Sequence, residues 1–100
     1  MSQVILVVNV KVKEEFTDEI YVFMKALHKL THELDKGCIQ YDLHAVKDEK
    51  SNFCFIETWE NQESLDEHME KEHFKSFMQF CDGKIEDLTI NFLNKYVEKK

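Results

Sequence analysis

Arginine is missing from this sequence, and all 13 basic side chains are lysine. With 20 acidic residues the formal net charge is −7, which disfavours nucleic acid as a partner. Without a guanidinium there is no rigid fork to grip phosphate or carboxylate in a bidentate way, so strongly anionic substrates are disfavoured too. Proline is also absent, and glycine occurs only at Gly37 and Gly83. Each glycine stands where a helix-like segment gives way toward a strand-like one, the place of a left-handed C-cap. Cys38, Cys54 and Cys81 are odd in number, widely spaced and set among apolar residues. That is poor material for a disulfide framework and points to a reducing compartment. The opening MSQVILVVNVKVKEE lacks a basic leader, and Asn9, Lys11 and Lys13 break its apolar run well short of a membrane span. A cytoplasmic protein that engages neither membrane nor nucleic acid is expected.

The chain does carry enough apolar material for one core. At 100 residues, 43% apolar and 12% aromatic, it is expected to form a single domain over residues 1–100. Val4, Leu6, Val8, Val10 and Val12 alternate with Ile5, Val7, Asn9 and Lys11, giving a first strand with one apolar face. From Glu14 to Leu34 the period changes. Phe16, Ile20, Phe23, Leu27, Leu30 and Leu34 recur at spacings of four and three, the stripe of a long amphipathic helix. Residues 38–47 and 52–60 read as strands joined by the polar turn DEKS. Asn61 is placed to cap a helix bearing Leu65 and Met69. Phe74, Phe77, Met78 and Cys81 predict another helix, and residues 87–98 a final strand. The order β-α-β-β-α-β predicts an α+β domain of ferredoxin-like, split βαβ type.

Alternation gives Phe53, Phe55, Glu57 and Trp59 one face of the third strand, so Glu57 stands between two aromatics. The opposite face, with Cys54, Ile56 and Thr58 beside Ile5 and Val7, is also largely apolar. A bare face of that kind predicts a homodimer formed through the sheets.

The G-C-x-x-Y of Gly37, Cys38 and Tyr41, and the run FCFIETWENQESLDEHMEKEHFKSF with its E-x-W, histidine and H-F, resemble the antibiotic biosynthesis monooxygenase domain family. The small quinol monooxygenase branch is the nearest in pattern. The resemblance spans residues 3–97 and implies a ferredoxin-like domain that dimerises into an α/β barrel with helices outside the sheet. It also implies oxygenation of quinols or phenols with no metal or flavin cofactor. On that reading Glu57, His68 and His73 are the candidate proton handlers. Trp59, Tyr41, Phe53 and Phe55 would shape a pocket for a planar aromatic substrate. The family also contains haem-degrading enzymes, a sugar-phosphate isomerase and many proteins without an assigned activity. The segment FKSFMQF holds no histidine where haem-degrading relatives carry their axial ligand, and a phosphate would have to be held without arginine. An isomerase and a non-catalytic ligand-binding or stress-response module stand as the alternative functions.

Other chemistries find little support. No glycine-rich nucleotide loop appears. His28 and His32 have the i, i+4 spacing of a chelating pair, but the helical wheel sets them away from the apolar stripe, so no metal is expected. His68 and His73, five apart, would diverge on one continuous helix. Cys54 falls on the strand face opposite Glu57, which favours an inert thiol.

Overall fold

A computed structural model describes residues 2–96. The alternating segment at the start becomes strand β1, Val4–Val12. A single 3-10 turn, Glu14–Phe16, separates it from helix α1, Thr17–Leu34. Strands β2, Cys38–Ala45, and β3, Asn52–Trp59, form a hairpin. Its turn is sharpened by Asp48 at φ 64°, a left-handed conformation that aspartate tolerates better than most residues. Helices α2, Gln62–Glu70, and α3, Glu72–Cys81, follow, and β4, Ile85–Leu93, closes the sheet. The last strand is shorter than the sequence pattern predicts, and Val97 and Glu98 lie outside the described residues.

The strands lie in the order β2-β3-β1-β4, and every neighbouring pair is antiparallel. This is the ferredoxin-like split βαβ arrangement. Leu6, Val10 and Val12 of β1, Tyr41 of β2, and Phe53, Phe55, Glu57 and Trp59 of β3 are buried beneath the helices. Cys54 and Ile56 of β3, with Ile5 and Val7 of β1, are half-buried on the other face. No described helix is long and apolar enough to cross a membrane.

Helix α1 sits rotated from its expected stripe. Its buried residues are Thr17, Ile20, Met24, Leu27 and Thr31, whereas Phe23 and Leu34 are exposed. Phe23 has instead stacked on Phe80 of α3, with ring centroids 3.7 Å apart. The apolar periodicity summed two different contacts, one with the sheet and one with a neighbouring helix, and so pointed between them.

Asn61 caps α2 as its position suggested, its Oδ1 accepting from the Ser64 N–H at 2.9 Å. Between α2 and α3 the backbone of Lys71 is extended, at φ −72° and ψ 148°. This break turns α3 away from the line of α2. Strand β4, by contrast, is not closely packed by any described helix. Leu88, Ile90 and Phe92 pair with Val10, Val8 and Leu6 and so share their face, yet Phe92 is 63% exposed and Ile90 51%.

Candidate functional site

Three elements bring a carboxylate, an imidazole and a phenol to one cavity. Its volume is about 110 Å³, and Glu57 of β3, His68 of α2 and Tyr41 of β2 lie in its wall. The rest of the wall is aromatic and aliphatic, with Phe55, Leu27 and Leu65 among its members. Met69, Met78, Leu88 and Ile90, all exposed in part, belong to the same wall and mark the side open toward β4.

Glu57 is buried because β-alternation forces it onto the face that Phe55 and Trp59 occupy. Its Oε1 accepts a hydrogen bond from Trp59 Nε1 at 2.9 Å. That bond favours the ionised form, but loss of water outweighs it, and the carboxyl is pushed up to about 7. Tyr41 lies opposite Glu57 in the β2–β3 register. Burial, reinforced by the Glu57 charge, holds its hydroxyl well above the ordinary phenol value, so Tyr41 stays a neutral phenol at physiological pH.

His68 is fixed by a residue that no local pattern marks. Its Nδ1 hydrogen-bonds Asp35 Oδ2, and the two side chains are only 2% and 1% exposed. Nδ1 is thereby committed, and Nε2 is the ring atom left to act in the cavity. Desolvation, aided by the neighbouring His73, holds the His68 pKa below its ordinary value despite the opposing pull of Asp35, so the neutral ring is favoured. His73 approaches Asp35 from the other side, with Nε2 3.0 Å from Oδ1 in a side chain 6% exposed. The approach is off the line of a hydrogen bond, and neither atom has another partner among the described residues. The break at Lys71 is what lets two histidines five residues apart converge, with ring centroids at 6.0 Å.

The residues singled out in the sequence therefore divide. Glu57, His68, Tyr41 and Phe55 meet at the cavity. Trp59 is fully buried behind it, where it holds Glu57 and lies 4.7 Å from the His68 ring. His73 backs Asp35 and faces a groove between α1 and α3. Phe53 stands apart, stacked on Tyr21 at 5.3 Å. Asp35 is the residue that sequence reading missed; its one legible trait is an acid two positions before Gly37 at the end of α1.

A ferredoxin-like α+β domain with a small apolar cavity, a buried carboxylate and an aspartate-held histidine defines a class of small-molecule-binding protein. Residues 3–79 match the model of the antibiotic biosynthesis monooxygenase family, and the chain belongs to that family. Among solved structures it is similar to protein PA3566 of Pseudomonas aeruginosa, at 23% identity and a TM-score of 0.90, with 97% of each chain covered. A conserved protein of Methanosarcina mazei is 26% identical with a TM-score of 0.85, covering 96% of this chain and 95% of its own. A third structure, described as an antibiotic biosynthesis monooxygenase, is 22% identical with a TM-score of 0.86, covering 94% and 99%. No curated protein matches the chain in sequence.

Proposed function

We propose that this protein is a cofactor-independent monooxygenase of single-ring quinols or phenols, acting as a homodimer in the cytoplasm. The observation that carries the reading is Glu57, a carboxylate at the wall of an apolar cavity with its pKa raised by desolvation to about 7. A general base is most effective when its pKa lies near the working pH. Ionised Glu57 takes a hydroxyl proton from a bound hydroquinone, and the electron-rich quinolate then reacts with dioxygen. A new C–O bond makes a ring hydroperoxide. Loss of the proton on that carbon breaks the O–O bond, expels hydroxide and leaves a carbonyl. One oxygen atom is inserted and the other leaves as water, so hydroquinone plus O2 becomes hydroxyquinone plus water. His68 Nε2, held by Asp35, carries protons to the departing oxygen.

Cavity size supports the choice of substrate. An apolar void of about 150 Å³ accommodates benzene, so a space of about 110 Å³ suits one ring rather than a fused polycycle. Met69 and Met78, flexible side chains on its open side, can adjust around substituents. The cytoplasmic placement rests on three free thiols. Support for the dimer comes from the apolar residues of β4 left uncovered beside the cavity and from Ile5, Val7 and Ile56 on the outer face.

Oxygen uptake against a panel of substituted hydroquinones tests the reading. Saturable uptake above spontaneous oxidation is expected, falling about a hundredfold or more in Glu57→Gln and His68→Ala. In Asp35→Asn the expected change is a shifted pH profile, since Nδ1 loses its anionic partner. Uptake at the background rate across the panel overturns the oxygenase reading.

A further inference from the structure

We propose that His28, His32 and Asp42 form a binding site for a divalent transition-metal ion at the free edge of the sheet, where α1 passes beside β2. The site is separate from the cavity. His28 and His32 are one turn apart on α1, with ring centroids at 4.5 Å and an interplanar angle of 60°. Asp42 comes from β2, the edge strand of the sheet. One donor atom from each of the three residues lies within 4.8 Å of the other two. Metal–nitrogen and metal–oxygen bonds of about 2.0–2.2 Å can join donors up to roughly 4 Å apart, so a small rotamer adjustment closes the set around one ion.

The surroundings already hold the ligands in place. His32 Nε2 lies 2.7 Å from the Tyr41 carbonyl oxygen, to which it donates in one tautomer. In that tautomer Nδ1 carries the lone pair that a metal requires. A ring nitrogen tied to a backbone carbonyl is the common outer-shell arrangement for a metal-bound histidine. Asp42 Oδ2 accepts from Gln40 Nε2 at 2.9 Å, and Gln40 Oε1 in turn accepts from Thr58 Oγ1 at 3.0 Å. This chain fixes one carboxylate oxygen and leaves Oδ1 for an ion.

The helical wheel set these histidines aside because the expected stripe ran through Phe23 and Leu34. The stripe actually runs through Met24, and His28 follows Met24 by one turn. The pair is thereby brought round to β2, where each imidazole lies 6.3 Å from the Tyr41 ring. Two imidazoles and a carboxylate suit Zn2+, Cu2+ or Ni2+ and are too nitrogen-rich for Ca2+ or Mg2+. Because the ligands come from two elements, the ion ties α1 to β2 and favours the folded state.

The test is calorimetric titration of the full chain with ZnCl2, repeated with CuCl2 followed by electron paramagnetic resonance. One saturable ion per chain, a nitrogen-coupled Cu2+ spectrum and a higher Tm with Zn2+ are expected. His28→Gln and His32→Gln should each abolish saturable binding, and Asp42→Asn should weaken it about tenfold, with the metal-free Tm little changed. His44→Gln, on the same strand, should bind as the parent does. The proposal is overturned if the parent chain shows no saturable binding. It is equally overturned if binding survives in both His28→Gln and His32→Gln, or is lost only in His68→Gln.

Discussion

Glu57 is held in a place that suits its neutral form, and that choice has a sign in the stability of the protein. Its folded pKa of about 7 lies above the ordinary 4.5. The folded state therefore binds the proton more tightly than the unfolded chain does. Below pH 4.5 both states are protonated and nothing is lost. As pH rises from 4.5 through 7, ionisation costs the folded state about 3 kcal/mol. Glu57→Gln keeps an oxygen for Trp59 Nε1 and has no charge to desolvate. It should match the parent in urea denaturation at pH 4 and exceed it at pH 8, by up to about 3 kcal/mol. Taking the difference between the two proteins cancels the contribution of His68, whose lowered pKa opposes folding at acid pH. Parallel curves across the range would show that Glu57 is not desolvated. Glu57 and Trp59 were legible from the sequence because strand alternation is local, and Tyr41 through the family resemblance of its G-C-x-x-Y. Asp35 was not, since the imidazole it holds is 33 residues further on and no periodicity joins them.

At the level of elements, the loop between α1 and β2 is fitted against the start of α2. Gly37 has φ +80°, and a Cβ built there would lie 2.2 Å from Ser64 Oγ and 2.7 Å from Ser64 Cβ. Gly83 has nearly the same backbone, φ +77°, with nothing within 4 Å. The two glycines thus separate backbone strain from steric conflict. Gly83→Ala should cost only the left-handed penalty of about 1–2 kcal/mol. Gly37→Ala adds displacement of the α2 N-terminus and should cost clearly more, about 3 kcal/mol or above. Equal midpoints in chemical denaturation would contradict that fit. Both glycines were visible in the sequence as punctuation. The closeness of Gly37 to Ser64 was not; the two separate helices were expected, but lysine carries no breaker signal, so the position of the break at Lys71 and the change of direction there were not legible.

For the molecule as a whole, the element order alone gave the topology, since a split βαβ chain with short connections has few antiparallel solutions. What the order could not show is that the helices leave β4 uncovered. Leu88, Ile90 and Phe92 form an apolar strip on an edge strand, an arrangement that soluble proteins ordinarily protect. Light scattering coupled to gel filtration should give twice the 12.0 kDa chain mass. The double variant Ile90→Lys, Phe92→Glu should reduce it to the monomer with an unchanged circular dichroism spectrum. A monomeric parent at micromolar concentration would remove the dimer from the proposed function.

The place of β1 in the sheet also governs how the protein is made. Of the four described strands this one is synthesised first, yet its two neighbours are β3 and β4. β3 reaches it only once the roughly forty residues that follow β1 have been translated, and β4 only after more than seventy. Until then the nascent chain presents a valine-rich strand with one or both edges unpaired, the kind of segment that chaperones hold. Production of this domain should therefore be limited by the interval between synthesis of β1 and release of β4, and a transcript truncated before Ile85 should yield inclusion bodies in place of a smaller soluble fold.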